Sequence, residues 1–564
     1  MSLQFITGNS GNGKTKYLFN RIVKEAKANP RDNYLVIVPE QFTMQTQRQL
    51  VDLSENKAIM NIDVLSFKRL AYRVFDELGI TNLTVLEETG KNLVLRKLAA
   101  QEADKLGVIG RNLNRIGYIS EVKSLLSELV QYNISPEELG RYIASGRLSD
   151  TLSDKLKDVL VLYEAFEKFM QDKYITAEEI LNVLSNVAEE SAILRNSVIA
   201  FDEFTGFTPI QNQLIKKLFV ISKKIYVTLT IDCREDIFKS RGMQELFDMP
   251  KRTVKSLTEM AAFYGIEVEE PIILDKNYRL AENEELSFME QQLFRKRRCS
   301  FKKVPKHIHI DCLRDPKQEL TKIARRINEL VRNENLRYRD IAIVTGDVNI
   351  YAGYVREIFD KYNIPYFIDA TQEILFHPFI EFIRSIPDIA AQHFSADAVF
   401  RFLRCGFSEL LDSEIDVLEN YVLACGVRGK SAWDKKWVRL PKHKAGYDLE
   451  LLNQSREYIM ELLKPVYQVF SDKKSTVKDY VLAIYKLIVL LDIPDKLAKK
   501  EQVLLDAGDQ TASKEYGQIY KIVMQLFEKY VAVLGDECMD AEEFTQILDA
   551  GLDAADVAVT PPGY

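Results

Sequence analysis

A glycine-rich segment near the start of the chain limits what its first domain can be. Residues 8–15 read Gly-Asn-Ser-Gly-Asn-Gly-Lys-Thr, which fits the pattern of a glycine, four residues and then Gly-Lys-Thr. An apolar run at residues 3–7 precedes the segment and apolar residues at helical spacing follow it, so a strand, a loop and a helix are predicted. Glycines let backbone N–H groups turn toward one anion, and a helix N-terminus favours negative charge. The segment therefore predicts a phosphate-binding loop.

The residue types in this loop predict how a nucleotide would be held. We expect Lys14 to reach the β- and γ-phosphates and the Thr15 hydroxyl to bind Mg²⁺. The alternative is a glycine-rich turn before a helix, with no ligand. The predicted nucleotide-binding residues of the loop are Gly8, Asn9, Ser10, Gly11, Asn12, Gly13, Lys14 and Thr15.

The composition excludes several classes of protein. Of 564 residues, 28% are charged and 46% are hydrophobic, as in ordinary globular proteins. No apolar run is long enough to span a membrane, so no membrane partner is expected. The six cysteines are scattered without a Cys-x-x-Cys pair, which indicates reduced thiols in the cytoplasm. Because the net charge is −7, a nucleic-acid surface would have to be a local patch.

The pattern of strands and helices predicts a first core that a helical segment interrupts. Strands and helices alternate over the first 84 residues, the pattern becomes almost wholly helical from 85 to 190, and the alternation resumes from 191 to 290. We expect a parallel sheet with helices on both faces and a mainly helical insertion at 85–190. The predicted strands are residues 3–7, 34–38, 58–64, 197–201 and 224–230.

A second alternating pattern predicts another core of the same kind. Residues 300–375 show strand patterns at 307–312, 341–344 and 366–368, with a helix at 351–362 between the last two. The chain is again mainly helical over 376–550, and residues 551–564 are interpreted as the start of a return to the second core. The predicted fold class is α/β, with two doubly wound parallel-sheet cores and a mainly helical insertion in each.

An acidic pair follows one of the predicted strands of the first core. Asp202 and Glu203 come directly after the apolar run that ends at Phe201. A phosphate loop needs carboxylates for Mg²⁺ and for the attacking water, so Asp202 is the predicted metal-side carboxylate and Glu203 the predicted catalytic base. The alternative is an acidic pair that only caps a strand end. A helical insertion would explain the long stretch of chain between Lys14 and Asp202.

These motifs, taken in order, resemble a superfamily 1 DNA helicase of the UvrD/Rep type, with two RecA-like cores. The chain is more closely similar to the AddB (RexB) family, a subunit of the bacterial AddAB helicase–nuclease. The similarity covers essentially the whole chain, and the order and spacing of the motifs are more specific than any one of them. Besides the phosphate loop, it rests on Val38-Pro39-Glu40-Gln41-Phe42-Thr43, Val64-Leu65-Ser66-Phe67, Phe204-Thr205-Gly206-Phe207-Thr208-Pro209, Asn277-Tyr278-Arg279 and Arg339-Asp340-Ile341-Ala342-Ile343-Val344.

The resemblance implies further site residues and the ligand ATP with Mg²⁺. Arg279 matches an arginine that contacts the γ-phosphate in helicases, and its planar fork suits phosphate oxygens; the alternative is a surface ion pair. Four residues fall where helicases contact single-stranded DNA, through stacking and phosphate hydrogen bonds. Either phenylalanine of this set fits the hydrophobic core equally well. The implied DNA-binding residues are Phe42, Thr43, Ser66 and Phe67.

The chain departs from the helicase pattern at two points near the nucleotide. Helicases carry Gly-Asp-x-x-Gln after the next strand, whereas residues 230–236 read Thr-Ile-Asp-Cys-Arg-Glu-Asp and lack the glutamine. The glutamine element that binds adenine ahead of the phosphate loop is also missing. We therefore expect ATP binding with weak or no hydrolysis, in a subunit that scans single-stranded DNA for the recombination hotspot Chi. An active helicase motor and a scaffold with a vestigial loop are the alternatives.

The resemblance also implies a complex and a location. The family works with the AddA (RexA) subunit on duplex ends and single-stranded DNA, in bacterial cytoplasm, and resects double-strand breaks for homologous recombination. Its nuclease domain, which holds an iron–sulfur cluster, follows the helicase-like half. We find no nuclease motif or cysteine cluster here, and we expect the chain to be an N-terminal fragment without nuclease activity of its own.

Overall fold

The structure, a computed structural model, divides the chain into two compact units. It describes residues 1–80, 85–108, 110, 118–146, 148–171, 174–295, 299–369, 372–373, 376–440, 447–553 and 556–557. The first unit consists of Met1–Leu86 and Ser124–Asp311, and the second of Glu87–Lys123 and Cys312–Tyr564. Within the described ranges, no helix combines the length and the apolar character needed to cross a membrane.

A parallel sheet forms the centre of the first unit. Its strands, with a separate two-stranded pair, are β1 (Ser2–Gly8), β2 (Tyr34–Ile37), β3 (Ile62–Leu65), β4 (Val85–Leu86), β5 (Ile175–Thr176), β6 (Val198–Phe201), β7 (Lys224–Thr230), β8 (Glu267–Val268) and β9 (Ile272–Leu274). The main sheet has the order β3-β2-β6-β7-β1-β8, β9 also pairs with β1, and β4 pairs with β5. Every pairing in the main sheet is parallel.

The central strands are buried on both faces because helices cover both sides of the sheet. All four residues of β2 and of β6 are buried, as are the middle five of β7. Such continuous apolar runs are typical of parallel strands between two helical layers. Since parallel strands end at the same edge, Gly8, Ile37, Phe201 and Thr230 mark one edge of the sheet.

Helices on the two faces complete two hydrophobic cores. On one face, α1 and α2 pack Leu18, Phe19 and Leu50 against the sheet. On the other face, α3, α8, α9 and α10 enclose the second core, and the predicted α/β class is confirmed. The helices up to residue 292 are α1 (Lys14–Ala28), α2 (Thr43–Leu53), α3 (Phe67–Leu78), α4 (Glu88–Gln101), α5 (Tyr118–Gln131), α6 (Pro136–Ala144), α7 (Asp150–Met170), α8 (Ile180–Val187), α9 (Pro209–Ile221), α10 (Asp248–Phe263) and α11 (Glu284–Gln292).

Four of the five strands predicted for this core are confirmed, and the third begins later than expected. The prediction covered residues 58–64, whereas β3 runs from Ile62 to Leu65. The side chain of Asn61 donates to three backbone carbonyls in the connection between α1 and β2, at 3.0–3.3 Å. This side-chain anchor holds the chain just ahead of the sheet, so the ladder starts one residue after it.

The second unit is mainly helical and has its own large core. Nine helices and a two-stranded pair follow α12 and α13 in the described residues. The core packs α14–α16, α18, α19, α21 and α22 around aromatic side chains such as Trp433 and Tyr480. The elements are α12 (Pro316–Asn333), α13 (Val348–Lys361), β10 (Gln372–Glu373), α14 (Pro378–Ala391), α15 (Ala396–Leu403), α16 (Asp412–Cys425), α17 (Lys430–Asp434), α18 (Leu449–Ser471), α19 (Val477–Leu490), α20 (Ile493–Asp506), α21 (Gln510–Leu534), α22 (Ala541–Asp553) and β11 (Asp556–Val557).

The strands predicted for the second core are wrong, although its helices are present. Residues 307–312, 341–344 and 366–368 form no strand, and Ile310 and Val344 are 93% and 92% exposed. The helix predicted at 351–362 is confirmed as α13, which packs on α12. An apolar run becomes a parallel strand only when neighbouring strands supply hydrogen bonds and burial, and local sequence does not show whether such neighbours are present.

The range 85–190, predicted as one helical insertion, is shared between the two units. The helix α4 belongs to the second unit, where Leu93 is fully buried in the core. Polar contacts tie the same helix to distant parts of that unit, since Lys97 Nζ lies 2.6 Å from a carboxylate oxygen of Glu537. Most of the predicted return at 551–564 lies outside the described residues.

A buried histidine at the start of α14 makes the stability of the second unit depend on pH. His377 is 3% exposed, its Nδ1 accepts the N–H of Phe379 at 3.1 Å, and its ring lies 4.4 Å from that of Tyr516. Burial lowers the pKa of His377 to about 4. The neutral ring stabilises the fold above pH 6.5, the usual value, and this contribution is lost as the pH falls toward 4.

We expect the unfolding free energy to fall by about 1.4 kcal/mol per pH unit between pH 6.5 and 4 because of His377. His377→Asn keeps a residue suited to cap the helix but removes the titrating group. Denaturant unfolding at several pH values should show a flatter profile for this variant than for the unmodified chain. The same substitution at exposed His309 is the control, and equal profiles for all three proteins would contradict the assignment.

Candidate functional site

The glycine-rich loop lies at the carboxyl end of β1, as predicted. Gly11 and Gly13 have φ angles of +88° and +77°, in the left-handed region that favours glycine. The helix α1 begins at Lys14, and no described side chain caps its N-terminus. Its first backbone N–H groups therefore remain directed at the loop, which is the arrangement that binds phosphate.

The ammonium group of Lys14 lies within the loop. Its Nζ donates to the carbonyls of Gly8 at 3.1 Å and Asn9 at 3.0 Å. Burial lowers the pKa of Lys14, whereas the nearby carboxylates of Glu203 and Asp202 act in the opposite direction. The loop thus holds a largely buried cation whose negative partners lie on another strand.

Those partners follow β6, two strands away in the sheet. The Oγ1 atom of Thr15 lies 3.3 Å from Asp202 Oδ1 and 3.3 Å from Glu203 Oε1, so its proton can be donated to either. Thr228, on β7 between them, donates to the same oxygen of Asp202. The sheet therefore brings the phosphate loop and the acidic pair together, as the sequence predicted.

The surroundings of Asp202 fit a cation. The side chain is 1% exposed, and its Oδ2 atom has no hydrogen-bond partner among the described residues. Burial raises the pKa of Asp202 to about 6, against the effect of the hydrogen bond from Thr228. A buried carboxylate oxygen beside a threonine hydroxyl is the oxygen donor set that Mg²⁺ prefers, so Thr15 and Asp202 fit the predicted metal site.

Glu203 has an unusual backbone conformation. Its φ angle is +64°, in the left-handed region that residues with a Cβ rarely adopt. Such a conformation costs of order 1–3 kcal/mol and persists only where the surrounding structure imposes it, often at functional sites. The strain points the exposed carboxylate of Glu203 toward Thr15.

Residues 277–279 form a strap across the phosphate loop. The backbone N–H of Tyr278 donates to the Gly11 carbonyl at 3.0 Å, and the side-chain amide of Asn277 donates to the Ser10 carbonyl at 2.9 Å. A Cβ at Gly11 would lie 2.8 Å from Asn277 Oδ1 and 2.9 Å from the Cβ of Arg279. Only glycine permits this close approach, and it places exposed Arg279 at the rim of the site.

These groups line one cleft of about 760 Å³. It runs from the phosphate loop past the acidic pair to α2. Its polar lining combines the cations of the loop and of the strap with two carboxylates. The lining residues are Ser10, Gly11, Gly13, Lys14, Thr15, Lys16, Phe19, Phe42, Gln45, Thr46, Gln49, Asp52, Leu53, Asp202, Glu203, Phe204, Thr205, Thr228, Thr230, Tyr278 and Arg279.

The four predicted DNA-binding residues lie near this edge, but most of their side chains are engaged within the protein. Phe67 is 7% exposed and packs against Phe201 at 5.8 Å between ring centroids. Ser66 caps α3, and buried Thr43 donates to a backbone carbonyl. Phe42, half-buried at the cleft, is the member of the set whose ring is open to a ligand.

Sequence reasoning did not assign a role to several residues of the site. Thr228 has its place because alternate residues of β7 face the same side of the sheet, a signal that the sequence carries. Tyr278 is 65% exposed and its ring lies 3.5 Å from a Cβ placed at Gly13. Its position depends on the strap, for which the sequence offers only a resemblance to other proteins.

Comparison with known proteins agrees with this arrangement. The family model described as "ADDB, N-terminal" matches residues 5–290, just over half of the chain. The chain belongs to this family. The match spans the phosphate loop, the acidic pair and the strap, and it ends within two residues of the end of α11.

Curated relatives extend the similarity over the whole chain. All are named as the same subunit of an ATP-dependent helicase/deoxyribonuclease. The chain is 38% identical to the protein of this name from Lachnoclostridium phytofermentans, over 100% of this chain and 50% of the relative. The proteins from Caldanaerobacter subterraneus and Clostridioides difficile are 32% and 31% identical, over 100% of this chain and 49% of each relative. The chain spans about half the length of the curated relatives it matches.

The strained backbone at Glu203 leads to a test of stability. Glu203→Gly should raise the unfolding free energy of the nucleotide-free chain by about 1 kcal/mol relative to Glu203→Gln, because glycine adopts a positive φ without a Cβ clash. Both substitutions remove the same charge, so their difference isolates the backbone. Denaturant unfolding measures it. Equal or lower stability of the glycine variant would show that the conformation carries no strain.

Proposed function

We propose that the chain is the ATP-binding, helicase-like part of a subunit of an ATP-dependent helicase–deoxyribonuclease. The observation that carries the proposal is the meeting of Lys14, Thr15, Asp202 and Glu203 in one cleft. Family membership and the names of the relatives support the wider assignment. The expected partner is an AddA-type subunit, and the expected substrates are DNA ends and single-stranded DNA, in the bacterial cytoplasm.

The residues of the cleft divide the task of holding a nucleotide. The backbone N–H groups of residues 8–15 and Lys14 would bind the phosphates, and Thr15 and Asp202 would hold Mg²⁺. Bound there, Mg²⁺ supplies positive charge against the phosphate oxygens. Exposed Arg279 at the rim offers a planar pair of donors to the terminal phosphate.

Two further residues complete the proposal. The Glu203 carboxylate reaches the Thr15 side of the cleft, where it would accept the proton of an attacking water. The exposed ring of Tyr278 lies beside Gly13, outside the phosphate loop, and it offers a flat face on which a nucleobase can stack.

We propose that the cleft edge near Phe42 contacts single-stranded DNA, and that the subunit scans this strand for the Chi hotspot. The partly open ring of Phe42 suits stacking of a base. Thr43, Ser66 and Phe67 would act mainly by shaping this edge, because their side chains are buried. The missing glutamine after β7 favours a scanning role with weak hydrolysis over a full motor.

Lys14→Ala should weaken binding of a fluorescent ATP analogue in the presence of Mg²⁺ by at least tenfold, because it removes the buried cation of the loop. Titration of the purified chain measures the dissociation constant. Lys24→Ala, an equal charge change on the exposed side of the same helix, should leave it unchanged. Absence of Mg²⁺-dependent binding at millimolar analogue would contradict the proposal and favour a scaffold with a vestigial loop.

The motor alternative is tested in the heterodimer that contains the full-length subunit. With the phosphate-loop lysine of the AddA-type partner substituted, we expect little ATP hydrolysis stimulated by single-stranded DNA. A phosphate-release assay measures the turnover that remains. Strong residual turnover that disappears on Lys14→Ala or Glu203→Gln would overturn the scanning proposal and identify this subunit as an active motor.

A further inference from the structure

The direction of the Lys14 side chain is set by the backbone at the start of the phosphate loop. Its ammonium group is held by the carbonyls of Gly8 and Asn9, at 3.1 and 3.0 Å. Any movement of these two residues therefore moves the hydrogen-bond acceptors that orient the cation. What fixes Gly8 and Asn9 also fixes Lys14.

The side chain of Asn9 is anchored at both of its polar atoms. Its Oδ1 accepts the backbone N–H of Cys233 at 2.9 Å, and its Nδ2 donates to Glu290 Oε1 at 2.9 Å. The side chain belongs to a residue that is only 5% exposed. Exchange of its oxygen and nitrogen would break both contacts, so the loop is tied in one orientation to the turn after β7 and to α11.

Glu290 is in turn held by a closed set of charged groups. Arg295 Nη2 lies 3.7 Å from Glu290 Oε1, and Arg295 Nε donates to Asp232 Oδ2 at 2.9 Å. The guanidinium of Arg295 also stacks 4.7 Å above the ring of Phe247. Asp232 directly precedes Cys233, which closes a ring of contacts from Asn9 through Glu290, Arg295 and Asp232 back to Asn9.

We infer that Asn9 and Glu290 are positioning residues that align Lys14 with the phosphates of a bound nucleotide. The inference rests on the proposed binding of a nucleoside triphosphate in the phosphate loop. Glu290 acts through Asn9 and the Gly8–Asn9 carbonyls, without contact with the ligand. Arg295 and Asp232 keep the Glu290 carboxylate charged and directed at Asn9.

The charge of Glu290 makes this inference separable from simple electrostatics. Its carboxylate is close enough to Lys14 to raise the pKa of the ammonium group. By charge alone, removal of this anion would strengthen the binding of phosphate, because a repulsive neighbour disappears. Removal of a positioning residue would weaken binding instead. The two explanations predict opposite signs.

The experiment measures the dissociation constant of a fluorescent ATP analogue with Mg²⁺ for five proteins. We expect Glu290→Ala and Asn9→Ala to bind about fivefold to tenfold more weakly than the unmodified chain, as for loss of one anchoring hydrogen bond. Glu290→Gln retains an acceptor for Asn9 and should stay within about twofold. Glu284→Ala, on the exposed face of the same helix, is the charge-matched control and should not change binding.

The double variant Asn9→Ala/Glu290→Ala shows whether the two residues act as one unit. We expect it to bind no more than about twofold more weakly than either single variant, because each already breaks the same anchor. Unfolding midpoints without nucleotide show whether a variant is folded, and Asn9→Ala, which removes no charge, gives an independent measurement if Glu290→Ala is unstable.

Three results would overturn the inference. Unchanged affinity in Asn9→Ala and Glu290→Ala would show that the ring is structural only. Tighter binding in both Glu290 variants would show that charge alone acts. Equal loss in Glu290→Gln and Glu290→Ala would show that the acceptor atom is not what matters. Failure of the unmodified chain to bind would instead overturn the proposed function, and this inference with it.

Discussion

The contact of Thr15 with Asp202 and Glu203 depends on a single constraint, the parallel order of the strands. Thr15 and Asp202 are 187 residues apart, yet β1 and β6 flank β7 and end at the same edge of the sheet. Two-residue hairpins cannot join parallel strands, so the chain must make long crossovers. One of these crossovers, between β3 and β6, contains a large helical segment without disturbing the edge where the site forms.

The sheet also stabilises features that are unfavourable by themselves. Asp202 is a buried carboxylate whose pKa is raised to about 6, and Lys14 is a buried cation whose pKa is lowered. Glu203 has a left-handed backbone. Each reduces the stability of the empty fold and becomes favourable when a ligand supplies the missing charge. This pattern fits a ligand site better than a vestigial loop, and the ring that anchors Asn9 keeps the loop in place.

The phosphate loop and the acidic pair were predictable because their residue types and flanking strands are local patterns. The burial of Phe67 and Ser66 was not, since an apolar residue after a strand can face the core or a ligand equally well. The strands at 307–312, 341–344 and 366–368 were predicted and are not formed, because pairing partners are a property of the whole fold. The strap and the Asn9–Glu290 contact join residues 267–281 apart in the chain, beyond the reach of any local pattern.

The sequence alone determined the first core, its phosphate loop, the acidic pair after β6 and the family resemblance, because each is encoded in short runs of residues with a fixed spacing. The tertiary structure decided which side chains meet. It placed Thr228 beside Asp202, closed residues 277–279 over Gly11, assigned α4 to the second unit and tied Asn9 to Glu290. These outcomes depend on strand order and on packing between distant segments, and such contacts are set by the folded chain as a whole.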